Sequence, residues 1–261
     1  MKHFNLPTLP HLANTPDVGS TGLSVVSVSK KFGKKTVLND VSFNVGPSEI
    51  VGLLGPDGAG KTVTFYSILG LLQVNSGQII LDGEDITSLP LDRRALRGLG
   101  YLPQEASIFR GLTVEQNIMT VLELFEENPV SREHRLDELL VEFHIDYVRK
   151  VPARALSGGE RRRCEIARAM AANPSIMLFD EPFAGIDPMS VRDIKAMITS
   201  LESHDVGILI TDQNVREMVD LLDRVYILHE GHIVFDGTPE AMLEDDTVRR
   251  LYLGEEFFHQ C

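Results

Sequence analysis

Residues 55–62 read GPDGAGKT, directly after the apolar run IVGLL and at the opening of a helical pattern that runs from Lys61 to about Leu72. Average residue frequencies put a chance match to this glycine-rich, lysine-ending pattern at about one in a hundred for a chain of this size, and the strand–loop–helix context lowers the odds further. The physical reason for the pattern is direct. Gly55, Gly58 and Gly60 allow backbone N–H groups to turn inward around phosphate oxygens. The helix N-terminus adds unpaired donors and its dipole. Lys61 supplies a point charge and Thr62 a hydroxyl for Mg²⁺. The predicted contact set is Gly55, Pro56, Asp57, Gly58, Ala59, Gly60, Lys61, Thr62 and Val63. The competing reading is a simple glycine-rich turn.

Two further segments bear on the same chemistry. SIMLFDEP (175–182) is an apolar strand that ends in two carboxylates. Asp180 is placed to hold Mg²⁺ and Glu181 to polarise an attacking water as general base. A strand ending in Asp-Glu is common, and its weight comes from standing beside the phosphate loop. LSGGERRRCEIARAM (156–170) is a second helix start, presented by Ser157, Gly158 and Gly159. It is either a plain helix cap or an anion site serving a nucleotide held elsewhere, since it has no lysine and no metal carboxylate of its own.

The rest of the chain sets limits. It has 261 residues, 43% hydrophobic and 24% charged, which suits one or two soluble domains with a real core. The net charge of −13 argues against a nucleic-acid binder, which needs cationic surface. Cys164 and Cys261 make no disulfide framework. The eight histidines show no zinc-ligand spacing. No apolar run approaches a membrane span, and residues 1–22 read as a flexible leader rather than a signal peptide. Strands (LSVVSV, VSFNV, IVGLL, GQIILDG, SIMLFD, GILITD, RVYILHEG, HIVFDG) surround a helical stretch from about Gln104 to Arg154. The chain is therefore expected to be α/β with a helical insertion.

GPDGAGKT, LSGGE and MLFDEP in this order, with Gln104 between the first two, resemble the ATPase domain of ABC transporters over roughly Leu23 to Glu256. The resemblance implies a P-loop ABC-type nucleotide-binding domain with an antiparallel β subdomain and an inserted α-helical subdomain. The ATP-binding core would be 23–103 and 156–240, the helical subdomain 104–155, and the C-terminal helix and tail 241–261. It implies ATP and Mg²⁺, and a head-to-tail homodimer with each ATP between one subunit's Lys61 and the other's Ser157–Gly159. Gln104 then senses Mg²⁺ and the transport partner, alongside Thr62 and Asp180 as metal ligands. Asp187 lies in the loop that crosses the dimer interface. Phe32 stacks on adenine, or else belongs to the core.

LPQEASIF, LSGGERRR, DEPFAGIDP, ITDQNVRE and RRLYLGEE more narrowly resemble the ATPase of the lipopolysaccharide export complex of Gram-negative bacteria. This implies a cytoplasmic protein, peripheral on the inner membrane, with two transmembrane subunits docking near Ser107–Phe109, unless Phe109 packs internally. A branched-chain amino-acid transporter ATPase shares most of these motifs. A slow-hydrolysing ATP-binding regulatory module is the alternative from another class.

Three positions depart from the family pattern. Asp57 replaces the commoner Asn. Val63 lacks the usual second hydroxyl, a contact worth about 1 kcal/mol. Gln213 stands where the family carries a histidine that reaches the γ-phosphate. Glutamine still donates an N–H but cannot become cationic or relay a proton, unless Asp212 or Asn214 compensates. Losing such a donor outright costs on the order of 10²–10³ in rate, so partial replacement predicts tight ATP binding with slowed turnover. Gln213→His is expected to raise kcat by about 10–100-fold with little change in ATP affinity, read from phosphate release and nucleotide titration. An unchanged kcat would show that Gln213 does not limit the rate.

Overall fold

A computed structural model of the chain describes residues 21–212 and 215–253. The leader residues before 21, Gln213 with Asn214, and the tail after 253 lie outside the described residues. The strands, in chain order, are β1 (Leu23–Phe32), β2 (Lys35–Val45), β3 (Ile50–Leu54), β4 (Ser76–Leu81), β5 (Glu84–Asp85), β6 (Leu99–Leu102), β7 (Ile176–Asp180), β8 (Gly207–Thr211), β9 (Arg224–His229) and β10 (His232–Gly237). The helices are α1 (Lys61–Ile68), α2 (Leu91–Ala95), α3 (Val114–Phe125), α4 (Pro129–Glu142), α5 (Gly158–Met170), α6 (Pro188–Ser200), α7 (Val215–Met218), α8 (Pro239–Glu244) and α9 (Asp246–Val248).

A six-stranded sheet, ordered β10-β9-β3-β8-β7-β6, forms the centre. Its pairs are parallel except for the β9–β10 hairpin. Every residue of β3, β7 and β8 is buried, as expected where both faces of a parallel sheet are covered. Successive side chains point to opposite faces, and this sorts them into two cores. Ile50, Leu54, Met177, Phe179, Ile208 and Ile210 face α3–α6. Val51, Leu53, Ile176, Leu178 and Leu209 face α1 and the second sheet. That second sheet is antiparallel, ordered β2-β1-β4-β5. The central sheet is thus a wall shared by a helical layer and an antiparallel β layer, and α3 and α4 are inserted between β6 and α5.

Several elements differ from the sequence reading. β1 runs on through Lys30–Phe32 and β2 begins at Lys35, because the two pair as a long hairpin whose polar ends periodicity alone does not reveal. β6, only four residues long, was not anticipated. α1 stops at Ile68 rather than near Leu72, and the cause is twofold. Gly70 takes a left-handed φ of 75°, where a Cβ would sit 2.7 Å from the Arg94 Nε and 2.8 Å from the Leu89 carbonyl. Arg94, from α2, donates to the carbonyl oxygens of Ser67 and Ile68, to Leu89 at 2.8 Å and to Thr87 at 2.7 Å. A residue 26 positions downstream therefore satisfies the last-turn carbonyls that a helix end leaves unpaired.

Arg94 is 1% exposed, so truncating it leaves several carbonyls without donors. Arg94→Met is expected to cost about 3 kcal/mol, measured as a lowered chemical-denaturation midpoint. A change under about 1 kcal/mol would show that α1 does not depend on this side chain.

Candidate nucleotide-binding site

The parallel register brings four loops to one edge of the central sheet. Asp180 pairs with Thr211 and Phe179 with Leu102, so β3, β6, β7 and β8 end together. Beyond those ends lie Gly55, Pro103-Gln104, Glu181 and Asp212. In open α/β sheets, ligands bind outside the carboxyl ends of the strands.

The loop from β3 into α1 is shaped by close approach. Gly55 has φ 149°, and a Cβ there would lie 2.0 Å from the Leu228 carbonyl oxygen of β9. Gly60, the N-cap of α1, has φ 117° and would place a Cβ 2.8 Å from the Leu38 side chain. Both glycines are therefore required by the backbone path. Lys61 donates to the carbonyls of Gly55 at 2.6 Å and Pro56 at 3.1 Å. Burial lowers its pKa, opposed by Asp57, Glu181 and Asp180. Thr62 and Asp57 are exposed. Val63 packs against the core beneath the antiparallel sheet, so the side chain that lost a hydroxyl serves packing instead.

At the end of β7, Asp180 is buried. Burial raises its pKa, opposed by a 3.3 Å hydrogen bond from the Tyr101 hydroxyl and by Arg162 and Lys61. Glu181 follows with a left-handed φ of 45°, an uncommon conformation that persists only where surroundings enforce it. Its N–H donates to the Thr211 carbonyl at 2.7 Å. Its Oε2 accepts from Gln104 Nε2 at 2.6 Å. The structure thus joins Gln104 and Glu181, which the sequence places 77 residues apart.

The LSGGE segment is a complete capping box. Ser157 Oγ accepts from the Glu160 N–H and donates to Glu160 Oε2 at 2.7 Å, and that same oxygen accepts from the Ser157 N–H at 2.8 Å. The Tyr147 hydroxyl donates to Glu160 Oε1 at 2.9 Å. Gly158 has open space around it, whereas a Cβ on Gly159 would lie 2.6 Å from Ser190 Oγ of α6. Asp187 is the N-cap of α6, accepting from the N–H groups of Met189 and Ser190 at 3.1 and 3.0 Å. Phe32 is 48% exposed at the end of β1, with Lys30 Nζ 5.1 Å from its ring centre. In the segment Ser107–Phe109 after Gln104, Ile108 is buried and Phe109 is 51% exposed. Gln213 lies outside the described residues. Cys164 is buried and its thiol is pushed up to about 12 by desolvation, leaving it inert.

Three residues escaped the sequence reading: Tyr101, Arg162 and Glu165. Arg162 and Glu165 are 5% and 3% exposed, although RRRCE reads as a charged surface face. The available signal was the apolar residues Cys164, Ile166 and Ala167 flanking them, which mark this face of α5 as buried.

A nucleotide-binding edge on a shared central sheet, an antiparallel layer and an inserted helical layer define an ATP-binding cassette. The family model for ABC transporters matches residues 38–184. The chain belongs to the ABC transporter family, as its ATP-binding and ATP-hydrolysing component. Among curated relatives, it is 54% identical to the lipopolysaccharide export system ATP-binding protein LptB of Haemophilus influenzae, over 90% of this chain and 98% of that protein. It is 52% identical to LptB of Escherichia coli strain K12, with the same coverage. It is also 55% identical to a probable ABC transporter ATP-binding protein of Azorhizobium caulinodans, over 93% of this chain and 86% of that one. Among solved structures, an ATP-binding cassette of an ABC transporter in its ADP conformation superposes with a TM-score of 0.80 at 24% identity, covering 90% of this chain and 99% of that one. An ATP-binding subunit of an ABC transporter gives 0.77 at 27% identity, covering 89% and 98%.

The capping box carries a pH signature. Hydrogen bonds from Ser157 hold the Glu160 carboxyl below its ordinary value. A depressed folded pKa gives stability that is complete above the unfolded value, about 4.3, and is lost as pH falls through the lower folded value. The melting-temperature difference between the wild type and Glu160→Gln is expected to be present at pH 6 and to shrink below about pH 4. A difference independent of pH would exclude an ionised cap.

Proposed function

We propose that this protein is the ATP-hydrolysing subunit of a lipopolysaccharide exporter, working on the cytoplasmic face of the inner membrane of a Gram-negative bacterium. The observation that carries the export assignment is the 52–54% identity to two LptB proteins across 98% of their length. A branched-chain amino-acid transporter ATPase has no such support here. Among the described residues no helix is long and apolar enough to cross a membrane, and the membership of the chain in the ABC transporter family supports separate membrane partners. The half-exposed Phe109, one residue from the buried Ile108, supplies an apolar tip for them.

The chemistry follows from the site. The backbone N–H groups of residues 55–62 and Lys61 hold the β and γ phosphates, and a phosphate arriving there replaces the two carbonyls that Lys61 now faces. Phe32 offers a ring face to adenine from the end of β1. Thr62, Asp180 and Gln104 present oxygen donors, the set a hard divalent cation takes. Burial raises the pKa of Asp180, and a divalent cation held there would favour its ionised form. Mg²⁺ held by these residues would supply charge neutralisation at the phosphate oxygens. Glu181 accepts a proton from the attacking water, and Gln104 holds its carboxylate in place. Gln213 donates a hydrogen bond to the γ-phosphate. In a head-to-tail homodimer, Ser157–Gly159 of the opposing subunit complete the cage, with Asp187 at the interface. Closure around two ATP molecules then draws the helical layers together and drives the membrane partners.

Glu181→Gln is expected to retain ATP binding and to lower phosphate release by about 100-fold or more, assayed on the purified protein. A variant that matches an actively hydrolysing wild type would remove Glu181 from the mechanism. Release at the protein-free background by both proteins would favour the regulatory-module reading. Membrane subunits co-purifying with the protein should be those of a lipopolysaccharide exporter. An amino-acid permease in their place would overturn the export assignment.

A further inference from the structure

α5 carries three polar residues at i, i+3 and i+6, Arg162, Glu165 and Arg168, on one inward face. Arg162 donates from Nε to the Pro182 carbonyl at 3.2 Å and from Nη1 to the Pro103 carbonyl at 2.9 Å. Pro182 follows Glu181, and Pro103 precedes Gln104. Arg162 Nη1 also meets Glu165 Oε2 at 3.3 Å. The other Glu165 oxygen accepts the N–H groups of Ser107 at 2.8 Å and Ile108 at 3.2 Å. Arg168 donates to Ser107 Oγ at 2.7 Å and lies 4.9 Å from the centre of the Phe109 ring.

We propose that Arg162 and Glu165 are positioning residues for ATP hydrolysis, fixing the turn of Glu181 and the loop of Gln104 as one rigid unit and tying that unit, through Arg168, to the Phe109 tip. The inference rests on the roles of Glu181 and Gln104 proposed above. Apart from each other, the partners named here for the pair are backbone groups that flank Gln104 on both sides or follow Glu181. Glu181 is the residue held at φ 45°, a conformation that needs a fixed surround. The Gln104–Glu181 contact of 2.6 Å survives only if both loops keep their relative place. Cohesion alone does not explain the pair, because well-packed apolar residues stabilise a buried site as well as or better than an ion pair does. What an apolar pair lacks is direction: it cannot hold two carbonyls and two N–H groups at fixed angles.

The test uses the full chain with three variants: Arg162→Lys, Glu165→Gln and the double variant Arg162→Met/Glu165→Leu, the last of which keeps the site packed without polar groups. Lysine keeps the charge but lacks the planar fork that reaches both prolyl carbonyls. Each variant is assayed for phosphate release as a function of ATP and for its thermal midpoint, with Glu181→Gln as the blank. The expected result is a kcat lowered about 10-fold or more, a KM for ATP within about 2-fold of wild type, and a midpoint that does not track the loss of rate. A folded double variant with wild-type kcat would overturn the proposal. So would kcat and KM changing together in step with the midpoint. A wild type that releases no more phosphate than the blank would instead sink the role of Glu181, and this inference with it.

Discussion

The parallel register of β3, β8 and β7 is the constraint from which the rest of the molecule follows. It is set by three continuously apolar strands whose residues alternate between two cores. Once Asp180 stands opposite Thr211, the chain must leave all three strands at the same edge. Loops that are far apart in sequence then share one small volume. Neither core alone would achieve this. A one-residue slip of β7 would exchange its two buried faces and move Asp180 and Glu181 out of line with the phosphate loop.

On that frame, the site combines rigid and strained parts. The phosphate loop is pressed against β9 so closely that only glycine fits at position 55. Its helix is anchored at the far end by Arg94 from another element. Glu181 sits in a left-handed turn held by the Thr211 carbonyl. These features cost conformational freedom locally, and the two dense cores compensate. What results is a carboxylate at Glu181 whose direction is set by Gln104 and the backbone, and for the general base proposed here that is the condition under which fixed groups contribute most to catalysis.

Local motifs were legible because their physics is local. GPDGAGKT and MLFDEP each contain a strand end and the groups presented from it, and LSGGE contains a cap together with its Glu160 partner. The α/β class was legible from the apolar runs. Arg94, Arg162 and Glu165 were not, since the apolar neighbours of a charged residue can mark its face as buried but do not announce which distant backbone groups, carbonyls for the arginines and N–H groups for Glu165, will converge on it. β6 was missed because four residues give too short a period, and its identity depends on pairing with β7. The pairing of Gln104 with Glu181 came from the fold, whereas the interest of Glu181 came from the strand end beside the phosphate loop and that of Gln104 from family resemblance.

The two glycines of the LSGGE motif answer to different demands. Gly158 is surrounded by open space, so a side chain there would meet nothing within its own subunit. Gly159 touches α6 at the turn capped by Asp187. The tip of α5 therefore packs closely on the start of α6. A side chain at 159 would need Ser190 to give way, so a substitution there would act through packing inside the monomer before it touched anything outside it.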